Sequence, residues 1–166
     1  MIYFSGITLA ILEPISRKNL FACLKSARRA GKKIAFDPNL RPRLWSNKKE
    51  MCDVIMAGAN LSDIILPSFE DEATWFSDAN PEATLKRYQK VGAEIVVVKN
   101  AGEPVSFFSN QGIGTHPVQS IETVIDSTAA GDSFNSEILV GILRNIPLSE
   151  AISNGANLAK KVIMGH

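Results

Sequence analysis

The sequence contains little that would connect it to a membrane or to nucleic acid. Its formal net charge is +1 over 166 residues, so no strong overall field favours a polyanionic partner. No run approaches the roughly 18 apolar residues that a membrane span requires. The N-terminus lacks a basic segment ahead of its apolar stretch, which predicts that there is no signal peptide. We therefore expect neither a nucleic-acid nor a membrane partner.

Cysteine and histidine are equally scarce, with two of each. Cys23 and Cys52 lie in predicted helices, without CxxC spacing or a metal-ligand pattern nearby. We therefore expect buried, free thiols in the reducing environment of the cytoplasm. His116 and His166 have no carboxylate or cysteine partner at ligand spacing, so we expect neither to bind a metal.

The composition is that of an ordinary globular protein, with 45% hydrophobic and 21% charged residues. The length suits one α/β domain over residues 1–166. Ser16 is the predicted N-cap of the first helix. Strands are predicted over 2–4, 33–37, 63–67 and 94–99, then a hairpin over 104–118, with helices over 16–31, 47–59, 80–92, 130–144 and 148–164. The alternation predicts a doubly wound α/β fold, with a mostly parallel sheet flanked by helices.

Polar residues follow three of the predicted strands directly. The stretches "DPNLRPRLW", "PSFEDE" and "KNAGEP" begin at Asp37, Pro67 and Lys99. Doubly wound sheets bind ligands beyond the carboxyl ends of their strands. Together with "DSTAAGDSFN" at 126–135, four chain segments are predicted to place polar groups at one edge of the sheet.

The stretch "DSTAAGDSFN" has the chemistry of an anion site beside a proton acceptor. If a helix begins near Ala130, the backbone N–H groups of Ala129, Ala130, Gly131 and Asp132 lack intrahelical partners and favour an anion. A carboxylate would repel a stored phosphate, but Asp132 could take the proton from a hydroxyl that attacks phosphorus. The alternative is an Asp-rich helix cap with no catalytic role.

The same stretch resembles the carboxy-terminal signature of the ribokinase-like (PfkB) carbohydrate kinases, usually Asp-Thr-x-Gly-Ala-Gly-Asp-x-Phe. "FSGITLAIL", "FDPNLRPRLW", "LPSFEDE" and "VVVKN" occur in an order that resembles the 2-keto-3-deoxygluconate kinases of this family. The resemblance implies ATP-dependent phosphorylation of a small sugar acid, with Mg²⁺ as cofactor. It covers essentially the whole chain, but only the nucleotide-binding, carboxy-terminal half of the family's fold, without its β-lid and extreme C-terminus.

The resemblance also implies roles for individual residues. Asp132 matches the catalytic base, and Ala129, Ala130 and Gly131 match the amides that face the transferred phosphate. Arg41 matches an arginine directed at the sugar acid, supported by Asp37 and Asn39. The nucleotide-binding and magnesium positions are matched by Ser68, Lys99, Asn100, Gly102 and Asn157, and by Asp71, which would hold the metal through water.

Simpler interpretations of these residues remain open. Arg41 could be a surface arginine, Lys99 a solvated strand end, and Ser68 and Asp71 an ordinary helix cap. Another sugar or nucleoside kinase of the family is an alternative activity. A non-catalytic fragment acting as a scaffold is a further alternative, since a sheet without its first half would expose an edge strand. We expect self-association, or pairing with a missing half, to cover that edge.

Overall fold

The computed structural model describes residues 1–118 and 129–165, and its strands form a six-stranded sheet in chain order. The strands are β1 (Ile2–Ser5), β2 (Ile34–Asp37), β3 (Ile64–Ile65), β4 (Ile95–Val98), β5 (Val105–Ser109) and β6 (Gly112–His116). The helices are α1 (Gly6–Ile11), α2 (Pro14–Arg29), α3 (Lys48–Ala59), α4 (Phe69–Phe76), α5 (Pro81–Lys90), α6 (Ala130–Leu143) and α7 (Leu148–Ile163), with a 3-10 turn at Pro42–Leu44. Strands β1 to β4 are parallel, and β5 and β6 add an antiparallel hairpin. The predicted mostly parallel sheet flanked by helices is confirmed.

Alternate residues of the central strands face two separate cores. Phe36 of β2 and Val96 of β4 pack in a core with α2, α3 and α5. Ala35 and Val97, one residue along each strand, pack in a second core with α6 and α7. Successive side chains of a strand point to opposite faces, so the nearly continuous apolar runs in the sequence reflect a sheet that is covered on both faces.

Two local predictions need correction, and helix α1 was not predicted. Helix α2 begins at Pro14 with Glu13 at its N-cap, so Ser16 is not the cap; proline suits a first helical position because the N–H it lacks has no intrahelical partner there. Helix α1 gave no periodic signal, since its six residues make fewer than two turns. Both cysteines are free thiols as predicted, but Cys23 is exposed and Cys52 is only partly buried.

One close backbone contact fixes the loop that follows β2. A Cβ atom on Gly6, the first residue of α1, would lie 1.7 Å from the carbonyl oxygen of Pro38. Only glycine permits this approach. The contact holds this loop against the start of α1, and Asn39 and Arg41 of the loop line the candidate site described below. Among the described residues, no helix combines the length and apolar character needed to cross a membrane.

Candidate active site

The carboxyl ends of β2, β3 and β4 and the start of α6 meet at one edge of the sheet, as the sequence predicted. Between them lies a cavity of about 380 Å³. We call it the charged cavity; it is lined by Ile7, Asp37, Asn39, Arg41, Ser68, Asp71, Lys99, Ala129, Gly131 and Asp132. Most of the predicted site residues therefore come together in one place.

The remaining predicted residues line a second cavity on the far side of the α6 N-terminus. Asn100, Gly102, Ala130 and Asn157 lie there together with side chains such as Val105, Phe134 and Ile163. This apolar cavity has a volume of about 200 Å³. It shares Lys99 and Gly131 with the charged cavity, so the two adjoin at the first turn of α6.

A third cavity adjoins the charged cavity on the opposite side. This β1 cavity, of about 410 Å³, is lined by Tyr3, Ser5, Ile7, Asn39, Asp132, Asn135, Ser136 and Leu139. It shares Ile7, Asn39 and Asp132 with the charged cavity. The three cavities therefore form a row, in which Gly131 borders the first junction and Asp132 the second.

A buried hydrogen-bond network connects β2, β4 and α6 at the floor of the site. Lys99 Nζ donates to Asn135 Oδ1 over 3.0 Å, and Asn135 Nδ2 donates to Asp37 Oδ2 over 2.9 Å. Lys99 Nζ also lies 3.7 Å from Asp37 Oδ1. Asn135 is 1% exposed, and the flanking ammonium and carboxylate fix which way its amide points.

Burial and mutual attraction act in opposite directions on the pKa values of the two charged groups in this network. Burial raises the pKa of Asp37, while the Lys99 ammonium and the Asn135 amide oppose the rise. Burial lowers the pKa of Lys99, against the attraction of Asp37, Asp132 and Asp71. Both shifts follow from removing charge from water. Lys99 is 14% exposed, so it is not the solvated strand end considered from the sequence.

Sequence reasoning missed two members of this region, Asn135 and Tyr3. Asn135 closes the "DSFN" segment, and its position one turn after Asp132 was the available signal. Tyr3 on β1 lines the β1 cavity with Asn135 and Asp132, and it lies near the carboxylate of Asp37. Burial, reinforced by these two carboxylates, raises the pKa of Tyr3 to about 12.

The first turn of α6 has the backbone geometry of an anion site. Ala129 occupies the N-cap with φ 61° and makes no side-chain cap hydrogen bond. Ser133 N donates to Ala129 O in the first intrahelical bond, which leaves the earlier N–H groups of the turn without intrahelical acceptors. A Cβ on Gly131 would meet no atom within 4 Å, so an anion could approach the backbone there. Residues 126–128 of the motif, including Asp126, lie outside the described residues, as does His166.

Ser68 and Asp71 connect the start of α4 to the site. Ser68 stands at the N-cap but makes no side-chain cap hydrogen bond. Asp71 accepts a hydrogen bond from the backbone of Leu40, and burial raises its pKa against the nearby charge of Arg41. These side chains are directed to the charged cavity, which weakens the interpretation of the pair as an ordinary cap.

The donor set of the charged cavity suits a hydrated magnesium ion better than a directly chelated metal. Within residues 1–118 and 129–165, no three His, Cys, Asp or Glu side chains group closely enough to hold a metal. Carboxylates do line the cavity, at Asp37, Asp71 and Asp132. Magnesium prefers oxygen ligands, retains several waters and commonly binds through one or two carboxylates plus substrate phosphates. The residues present therefore fit Mg²⁺ held through water and phosphate.

Several comparisons place these features among known proteins. The model of the "pfkB family carbohydrate kinase" matches residues 1–166. A 2-dehydro-3-deoxygluconokinase of Haemophilus influenzae is 37% identical over 166 residues, which cover 98% of this chain and 52% of the relative. The chain thus spans about half the length of the curated relatives it matches. The substrate in that relative's name is a synonym of 2-keto-3-deoxygluconate.

Two solved structures have the same fold as this chain. A PfkB protein from Polaromonas sp. JS666 superimposes with a TM-score of 0.85 at 27% identity, over 98% of this chain and 53% of that one. Aminoimidazole riboside kinase from Salmonella enterica, crystallised with its riboside and an ATP analogue, gives 0.83 at 24% identity, over 97% and 55%. From the family match, the relatives and the shared fold, this chain belongs to the pfkB family of carbohydrate kinases.

Proposed function

We propose that this site transfers a phosphoryl group from ATP to a hydroxyl of a small sugar acid, and that it converts 2-keto-3-deoxygluconate into its 6-phosphate. The observation that carries the proposal is the row of three cavities with Gly131 and Asp132 at its junctions. Phosphoryl transfer needs a binding site for the phosphate donor, an anion-binding turn for the transferred group and a carboxylate that faces the acceptor hydroxyl.

In this proposal the apolar cavity takes the nucleotide. Apolar walls suit a base, and Asn100, Gly102 and Asn157 line the cavity beside them. The ATP analogue in the Salmonella relative supports a nucleotide in a fold of this kind. The γ-phosphate would then reach the first turn of α6, where unpaired N–H groups and the helix dipole offset its charge.

Asp132 acts as the general base for the acceptor hydroxyl. Its side chain is exposed and borders both the charged and the β1 cavity, so it can meet a substrate that enters from either. Ser68 and Asp71 would hold Mg²⁺ through its waters. When bound, that ion supplies positive charge to the phosphate oxygens.

Arg41 gives the site its preference for an acid. It lines the charged cavity, and a guanidinium binds a carboxylate through two parallel hydrogen bonds. The backbone of Arg41 has φ 43°, a strained conformation for a residue with a side chain, and such strain concentrates at functional sites. The relatives named for 2-dehydro-3-deoxygluconate support an acidic substrate.

The test is direct detection of phosphorylated product from Mg·ATP and 2-keto-3-deoxygluconate, with ribose and fructose as neutral comparators. Product from the acid alone supports the proposal. Equal efficiency with a neutral sugar would favour another sugar or nucleoside kinase of the family, and absence of product from a folded sample contradicts activity of this chain alone. Arg41→Met should raise the KM for the acid, whereas the matched change Arg43→Met, outside the three cavities, should not.

A second function is favoured by the open edge of β1. Within residues 1–118 and 129–165, this strand pairs only with β2 and lies at the border of the sheet, with Ile2 37% exposed. On α6, which shares the β1 cavity, Val140 and Leu143 are 37% and 61% exposed. Edge strands with apolar side chains tend to pair with another chain. We propose that a second copy, or a chain supplying the remainder of the family fold, covers this face in the cytoplasm, and that without it the chain is a non-catalytic scaffold.

Sedimentation equilibrium tests this second function. Concentration-dependent association that Leu143→Lys abolishes would support it, and a monomer that turns over substrate would contradict it.

A further inference from the structure

Tyr3 occupies a position in the β1 cavity that the catalytic scheme above does not use. Its neighbour Phe4 faces the core with α2, α3 and α5. Because successive residues of a strand face opposite sides, Tyr3 is on the side of α6, where it lines the β1 cavity with Asp132 and Asn135. The residue is 44% exposed, so a ligand in the cavity could reach it.

Tyr3 lies beside Asn135 in the β1 cavity, and the Asn135 side chain is fixed by two other partners. The Oδ1 atom of Asn135 accepts from Lys99, and its Nδ2 atom donates to Asp37. A phenol can both donate and accept hydrogen bonds. The O–H of Tyr3 is therefore available as a donor to a ligand in the β1 cavity.

The surrounding charges keep that proton in place. Burial and the carboxylates of Asp37 and Asp132 raise the pKa of Tyr3 to about 12, so near neutral pH the side chain is a hydrogen-bond donor. Asp132, on the same cavity wall, has the opposite chemistry and accepts hydrogen bonds. The β1 cavity thus presents one donor and one acceptor to a ligand.

We propose that Tyr3 is a substrate-binding residue, whose phenolic O–H donates a hydrogen bond to an oxygen of the substrate whose hydroxyl Asp132 deprotonates. The inference rests on the proposed function and deepens it. It predicts that the acceptor carries a further oxygen besides the reacting hydroxyl, as a polyhydroxylated sugar acid does, and that it enters the site from the β1 cavity.

The chain contains only two tyrosines, which permits a direct test by NMR on protein carrying ¹³C at the phenolic carbon of tyrosine. Tyr88 is fully buried in the other core and serves as the internal control; Tyr3→Phe assigns the two signals. Titration with 2-keto-3-deoxygluconate in the presence of Mg·ADP should shift the Tyr3 signal to saturation and leave the Tyr88 signal in place.

Kinetics on the same preparations supply the second readout. Tyr3→Phe should raise the KM for the sugar acid by about 3- to 10-fold, the worth of one hydrogen bond, with little change in the KM for ATP. The control Tyr88→Phe also removes a phenolic hydroxyl, which in Tyr88 donates a hydrogen bond to Glu72. This variant should lose stability without a change in either KM.

The outcomes separate this inference from the proposed function. Product formation with an unmoved Tyr3 signal and an unchanged KM in Tyr3→Phe overturns the Tyr3 assignment and leaves the kinase intact. A saturable Tyr3 shift without product supports the assignment and contradicts catalysis by this chain alone. Absence of both product and shift overturns both.

Discussion

Two groups of charged and polar side chains differ in what they face. The helix cluster consists of Glu72, Asp78, Arg87 and Tyr88. The strand-end cluster consists of Tyr3, Asp37, Lys99 and Asn135. Both contain a carboxyl group whose pKa is raised by burial, so a shifted pKa does not distinguish them.

The helix cluster satisfies its own members. Arg87 Nη2 lies 2.6 Å from both Glu72 Oε2 and Asp78 Oδ2, and Tyr88 Oη donates to Glu72 Oε1 over 3.0 Å. The guanidinium also stacks on the ring of Phe76, 3.9 Å from its centre. None of the four residues lines any of the three cavities in the described part of the chain.

The strand-end cluster, by contrast, opens onto the row of cavities. Lys99 lines two of them, and Tyr3, Asp37 and Asn135 each line one. Burial with internal partners stabilises a fold, whereas burial beside a cavity prepares groups for a ligand. We infer that the helix cluster has a structural role, and we propose that the strand-end cluster belongs to the candidate site.

The largest expected effect is a loss of protein stability when the helix cluster is disrupted. Arg87→Met leaves Glu72 and Asp78 without their cation in a buried position, and it should reduce the free energy of unfolding by about 3–5 kcal/mol. Urea denaturation measures this loss. At urea concentrations below the unfolding midpoint of the variant, the KM for ATP should stay unchanged. An altered KM with unaltered stability would contradict the division between the clusters.

A pH dependence should follow from Glu72, whose burial raises its pKa to about 7 from an unfolded value near 4.5. Between these values the folded protein retains a proton that the unfolded chain has released. Stability should therefore be greatest below the unfolded pKa and fall as pH rises through the folded one, by roughly 3 kcal/mol. Glu72→Gln should flatten this part of the curve, as measured by urea midpoints at a series of pH values. Parallel curves for both proteins would show that Glu72 does not titrate in this range.

The third effect is confined to the site. Gly131→Ala adds a methyl group that meets no protein atom within 4 Å, so thermal stability should hold or rise slightly. The methyl group would nevertheless occupy the approach to the α6 amides, and a misplacement of about 1 Å can reduce turnover about 100-fold. Initial rates and thermal melts on one sample measure both quantities. A destabilised protein, or one that retains full turnover, would contradict the proposed phosphate position.

The convergence of the strand ends could be predicted from the sequence, whereas the contact between Asn135 and Asp37 could not. Apolar β-branched runs and helical periodicity placed the strand ends, and parallel topology then required Asp37, Ser68 and Lys99 to converge. Asn135 contacts Asp37 across 98 positions of sequence, and no local pattern records that α6 packs beside β2.

The helix cluster could not be predicted from the sequence either. Glu72 and Arg87 are charged residues on helices, and such residues are mostly exposed. Their burial depends on how α4 and α5 pack together, which periodicity does not specify. Likewise, Tyr3 stood in an apolar strand, where an aromatic residue is expected for packing alone.

The most direct test of the account compares two carboxylates of α6. Asp132→Asn removes the proposed base, and Glu137→Gln changes a partly buried carboxylate five residues further on that lines none of the three cavities. With Mg·ATP and 2-keto-3-deoxygluconate, we expect product formation to fall by about 100- to 10,000-fold in Asp132→Asn and to stay within about 2-fold in Glu137→Gln, since general-base catalysis needs a carboxylate at the reacting hydroxyl. Turnover that survives Asp132→Asn, or that falls equally in both variants, would contradict the central claim that Asp132 carries the chemistry.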